Sequence, residues 1–237
     1  MVNNLANAVN PASLSFRFRT RRDAVLRDFL QKVPRVDAQI LRICDLGGGV
    51  AYWERVGLDW LEDHAIHITC INSSADELTR DSQSAAPITL AVGDACDMGG
   101  HADNSFDVVH SNSVIEHVGG WSRIVDFSRQ VRRLAPSYYV QTPYFWFPFD
   151  PHFYRVPCIH WLPPSFRAKL HRRVKAGWAQ PDGTLDQAMG LAMSNFMLDR
   201  SQYRFLFPDA EHRFEFFAGL PKSMLAMRLA STSGKIS

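Results

Sequence analysis

Two histidines and one glycine-rich turn are the residues of this sequence best suited to chemistry. His117 follows Glu116, and His152 closes the triplet Asp150-Pro151-His152. An imidazole titrates near neutrality, so either ring could take a proton from a hydroxyl. His152 lies in an aromatic segment after the fifth apolar strand, and loops at strand carboxyl ends build the sites of open α/β sheets. The turn lies in Ile43-Cys44-Asp45-Leu46-Gly47-Gly48-Gly49-Val50-Ala51, where an apolar strand meets an acid, then glycines, then a helical pattern. Glycine lets a ligand approach the backbone, and the first N–H groups of the helix lack partners. Such a turn suits a nucleotide.

These residues need elements to hold them. Apolar runs at Leu41–Leu46, Ile66–Ile71, Ile88–Val92, Phe106–His110 and Tyr138–Gln141 predict five strands. Helical spacing covers Thr20–Val33, Ala51–Glu62 and Trp121–Leu134, with a short capped helix after Ser73 or Ser74 that includes Glu77 and Leu78. Alternating strands and helices predict a parallel sheet covered on both faces. Residues 143–198 break the rhythm with an aromatic, proline-rich stretch that holds Tyr144, Phe145, Trp146, Phe147 and Phe149. Helices are expected at Pro164–Val174, at Gln187–Leu198 and from Asp199 to Phe207, before a hairpin of Ala210–Phe217 and Ser223–Leu229. The insertion is expected to act as a lid that excludes water and holds an acceptor.

From about residue 40 to 143 the chain resembles the class I S-adenosylmethionine (SAM)-dependent methyltransferases, in particular the methyltransferase type 11 group. Asp45, Gly47 and Gly49 match the first motif, with Ala51 in place of the last glycine. Val92-Gly93-Asp94-Ala95 resembles the third-strand motif, and Asn104 to Val118, with its Phe-Asp-Val-Val core and Glu116-His117 pair, matches the fourth-strand signature. The resemblance implies a Rossmann-like, seven-stranded, mostly parallel α/β sheet with an antiparallel terminal strand, in one domain over 1–237. Residues 1–19 are expected to be flexible and 143–198 to form the lid. It implies SAM as cofactor, held by Asp45, Gly47, Gly49, Asn72, Asp94, Ala95 and Ser111. Asn72 departs from the acidic residue that the family uses for the ribose hydroxyls, and so lacks its charge. Ser111 and Asn112 are expected at the rim of the cleft, with Glu116 and His117 opening the next helix. His152 and then His117 are the catalytic candidates for methyl transfer to a small or medium acceptor. A hydroxyl of a sugar, a polysaccharide precursor or a secondary metabolite is favoured.

Composition narrows the class further. The 237 residues carry 26 basic and 24 acidic side chains, a balance that gives no general pull toward nucleic acid or membrane. No apolar run is long enough to span a bilayer, and residues 1–22 lack the apolar core of a signal peptide. Cys44, Cys70, Cys96 and Cys158 show no metal-ligand spacing, so a reduced, cytoplasmic protein without a metal site is expected. The basic stretch Arg167, Lys169, Arg172, Arg173 and Lys175 is either a solvated helix face or a place for an anionic group. Sequence gives no handle on oligomeric state. Two rivals stay open: a non-catalytic SAM-fold partner, which Asn72 would suit, and an NAD-dependent oxidoreductase, which would share the glycine turn.

Overall fold

The computed structural model describes residues 14–35, 39–74, 87–153, 155–174 and 183–231. Helix α1 spans Leu14–Gln31, and β1 follows at Leu41–Leu46. Next come α2 (Val50–Val56), α3 (Leu58–Asp63), β2 (Ile66–Asn72) and β3 (Ile88–Val92). Strand β4 (Val108–Asn112) leads through a single turn of 3-10 helix to α4 (Trp121–Leu134) and β5 (Ser137–Pro143). Helices α5 (Pro164–His171), α6 (Leu185–Ala192) and α7 (Arg200–Leu206) precede the hairpin of β6 (Glu211–Phe217) and β7 (Leu220–Arg228).

The strands form one seven-stranded sheet in the order β3-β2-β1-β4-β5-β7-β6. Pairs among β1 to β5 are parallel, whereas β7 pairs antiparallel with both β5 and β6. Alternation along the strands builds two cores. Cys44 and Leu46 of β1 join Ile124, Phe127 and Val131 of α4 and Tyr203 and Leu206 of α7 on one face. Leu41 and Ile43 join Leu26 and Leu30 of α1, Trp53 of α2 and Leu61 of α3 on the other. This is the doubly covered, Rossmann-like sheet that the sequence predicts.

Several boundaries differ from the sequence reading, each for a local reason. The expected helix Ala51–Glu62 is two helices, because Gly57 between them takes φ +112 and cannot continue the first. Helix α1 begins at Leu14, inside the segment expected to be flexible. Glu116 and His117 do not open α4. They sit in the 3-10 turn Ile115–His117, and Gly119 at φ +116 separates that turn from the helix. Helix α6 starts at a capping box of Thr184 and Gln187 and ends at Ala192, well short of Leu198. The expected helix after Ser74 lies outside the described residues, as does Lys175. Among the described residues, no helix is long and apolar enough to cross a membrane.

Candidate active site

The glycine turn is shaped by what lies beneath it. Asp45 is fully buried at the end of β1, where a lone carboxylate would be costly. It is instead well paired: Trp53 Nε1 donates to Oδ2 at 2.7 Å, and His110 Nδ1 lies 2.7 Å from Oδ1. Since the carboxylate can only accept, His110 carries its proton on Nδ1 and presents Nε2 to the Tyr52 hydroxyl 3.1 Å away. A Cβ on Gly48 would stand 1.6 Å from Asp45 Oδ2, and one on Gly47, which has φ +74, would stand 2.6 Å from Val114. Those two glycines are therefore required by the chain's own packing. Asp45 braces the turn from behind and has no exposed atom for a ligand.

Strand order sets the neighbouring strand ends side by side. Because β3, β2 and β1 are adjacent and parallel, Asp94, Asn72 and the turn share one end of the sheet. The Asn72 amide donates to the Gly48 carbonyl at 2.7 Å, which ties the end of β2 to the turn. Asp94 is half-exposed, accepts from the Cys96 N–H at 2.9 Å, and meets Arg123 Nη2 at 2.7 and 2.8 Å. The Cys96 N–H, then Arg123, hold the Asp94 carboxyl below its ordinary range. An amide and a half-exposed carboxylate at neighbouring strand ends fit the hydroxyls and amino group of a nucleoside such as that of SAM. Gly49 takes an extended conformation at the start of α2, and Ala95 is partly buried. Ser111 is not at the rim: it is fully buried, and its hydroxyl donates to the Leu46 carbonyl at 3.0 Å.

The two candidate histidines, 35 positions apart, meet in space. His117 Nε2 lies 2.8 Å from His152 Nε2, with the rings near perpendicular at 88°. Behind His152, Asp150 Oδ1 lies 2.7 Å from Nδ1, and Asn195 donates to Asp150 Oδ2 at 2.9 Å. Asp150 is fully buried and Asn195 nearly so. Burial alone would lower the His152 ring; Asp150 overrides it and holds the pKa above the ordinary value. Burial and then His152 lower that of His117. Beneath the pair, burial pushes the Glu116 carboxyl up to about 7. Thr142 donates to its Oε2 at 3.0 Å, while Oε1 has no hydrogen-bond partner among the described residues. Sequence reasoning found both histidines but missed Asn195, Trp53 and His110. Their roles depend on chain paths that no short spacing encodes.

The aromatic segment is divided. Phe147 is buried against Phe149 and Phe217, whereas Trp146 and Phe149 are exposed. The Phe145 carbonyl accepts from Trp161 Nε1 at 2.8 Å and lies 2.7 Å from His160 Nε2, which fixes the path of the segment.

Comparisons with known proteins agree with this geometry. Residues 45–136 match the family model described as a methyltransferase domain. No curated protein matches the sequence. Among solved structures, the CurJ carbon methyltransferase is similar at TM-score 0.58 and 12% identity, over 98% of this chain and 59% of that one. The methyltransferase (CMeT) domain of the citrinin polyketide synthase gives TM-score 0.57 and 13% identity, over 90% and 52%. The chain thus spans little more than half the length of those two. The magnesium protoporphyrin IX methyltransferase of Synechocystis PCC 6803, solved with bound SAH, gives TM-score 0.50 and 13% identity, over 91% and 85%. At such identities the structures establish the fold, and the family match spans the turn, Asp94 and the segment from Asn104 to Val118. Residues 45–136, under half of the chain, thus match a methyltransferase domain, and the chain as a whole shares its fold with solved methyltransferases.

Proposed function

We propose that the protein transfers the methyl group of SAM to a hydroxyl of a small or medium acceptor. A sugar, a polysaccharide precursor or a secondary metabolite is the favoured class. The observation that carries this reading is the Asp150–His152–His117 array, with separations of 2.7 and 2.8 Å, on the loops that follow β4 and β5. Bound SAM would supply a sulfonium-activated methyl group, the electron pair of the C–S bond staying on sulfur as the acceptor oxygen takes the methyl. The chain's own task is then to orient, to exclude water and to receive one proton. His152 Nε2 receives the hydroxyl proton, and Asp150 stabilises the imidazolium that forms. Asn72 and Asp94 would hold the nucleoside, and Trp146 and Phe149 would close over the acceptor.

Two measurements test the reading. Calorimetry should show SAM binding and none with NAD, and Asp94→Ala should weaken it. A labelled-SAM assay against cell extract should then label an acceptor, with His152→Ala lowering turnover by roughly 10²–10⁴-fold. Full activity in His152→Ala with loss in His117→Ala would move the base to His117. A second reading, a non-catalytic SAM-fold partner, is favoured by Asp94 being engaged by Arg123 and Asn72 by Gly48. It predicts no heat with SAM. Residues 143–198 serve as the substrate lid in the enzymatic reading, and the basic face of α5, with Arg172 just beyond it, would receive an acceptor's anionic group.

A further inference from the structure

The geometry points to a divalent transition-metal site formed by Glu116, His117 and His152. One oxygen or nitrogen from each residue lies within 4.8 Å of the others. Tautomer accounting makes the case. Asp150 Oδ1, 2.7 Å from His152 Nδ1, can only accept, so that nitrogen carries the proton. The Ser194 carbonyl, 3.3 Å from His117 Nδ1, imposes the same tautomer on the second ring. With both rings neutral, the two Nε2 lone pairs face one another across 2.8 Å, a repulsion relieved either by a proton shared between them or by a metal cation that both ligate. The third donor, Glu116 Oε1, is fully buried with no hydrogen-bond partner among the described residues, while Thr142 occupies Oε2.

The surroundings resemble those of a ligand set. A metal-bound imidazole commonly donates its other N–H to a carboxylate or a carbonyl, as Asp150 and Ser194 provide here. Asn195 in turn orients Asp150 at 2.9 Å. For bonds of about 2.0–2.1 Å in tetrahedral geometry, the two nitrogens would stand roughly 3.3 Å apart. The rings need move apart by only about half an ångström to reach it. Two imidazoles and one carboxylate suit zinc, iron(II) or cobalt(II), and three protein ligands leave a position open for an oxygen ligand. With the ion bound, both Nε2 lone pairs are taken, so neither ring is the base and the ion would instead lower the pKa of a ligated hydroxyl. That this oxygen is the acceptor's rests on the proposed methyl transfer, whereas binding of the ion does not.

Cobalt(II) serves as the probe, because a four- or five-coordinate nitrogen and oxygen site gives visible bands that are stronger and lie at longer wavelength than the weak absorption of hexaaqua cobalt. The full chain, stripped with chelator and titrated with cobalt(II), is expected to develop these bands at one equivalent and lose them to zinc. His117→Ala and His152→Ala should each abolish the bands, and Glu116→Gln should weaken or shift them. Asp150→Asn, which alters only the support, should weaken affinity about 10–100-fold. Circular dichroism of each variant separates lost binding from lost folding. Featureless spectra with the folded wild type, or bands that persist in both folded histidine variants, would overturn the site. Neither result bears on SAM binding, so a failure here and a failure of the methyltransferase reading are distinguishable.

Discussion

Asp45 shows how one buried side chain can decide the shape of a turn from beneath. Its two oxygens hold Trp53 and His110, and its bulk leaves room above it for glycine alone. Asp45→Ala should strand two buried donors at about 1–3 kcal/mol each, measured by urea denaturation. Gly48→Ala should weaken SAM binding through a displaced turn, since its Cβ would meet Oδ2 at 1.6 Å. The sequence exposed the acid-glycine pattern but not this division of labour. Trp53 was legible only as one apolar position on a helix, and His110 only as the end of a strand. Asp150, His152 and His117 were each visible in sequence, but their meeting depends on how the loops after β4 and β5 fold over one another.

At the scale of elements, caps and ion pairs fasten the helices to the sheet. Asp199 caps α7, accepting from the Gln202 N–H at 2.9 Å, and that helix buries Tyr203 and Leu206. Asp199→Ala should cost about 0.5–2 kcal/mol, read from thermal or chemical unfolding. Arg22 of α1 reaches across to Glu215 of β6 and also donates to Asn112 at 2.8 Å. Burial would raise the Glu215 carboxyl, but Arg22 overrides it and holds the pKa below the ordinary value. A lowered folded value means that this link stabilises above the usual carboxylate range and is lost as pH falls through that lowered value. Glu215→Gln should therefore lose about 1.5–3 kcal/mol near neutrality, and the gap to wild type should close in acid. The strands β1 and β3 were legible to the residue because β-branched and apolar runs end abruptly at polar turns. Gly57 and Gly119 were harder, since only their positive φ reveals that they break helices rather than sit in them.

In the whole molecule, the closing hairpin is part of the frame. Every residue of β5 is buried, and its free edge is covered by β7 from Tyr138 opposite Arg228 to Pro143 opposite Ser223. Met224 and Ala226 enter one core, while Leu225 and Met227 enter the other. A chain that ends after Asp209 should thus fail to fold cooperatively, checked by circular dichroism and size-exclusion chromatography. The alternating pattern made a mostly parallel sheet covered on both faces readable in advance. It did not show that the last strand would lie inside the sheet, between β5 and β6.

That inserted strand has a consequence for synthesis on the ribosome. Strand β5 ends at Pro143 and its antiparallel partner begins at Leu220, so the buried edge emerges well before the strand that covers it. At ordinary elongation rates the delay is about 4–15 s. During that interval the nascent chain presents an unpaired, apolar strand edge of the kind that templates aggregation. Chaperone engagement should peak in nascent chains between those two lengths and fall once β7 is free of the exit tunnel.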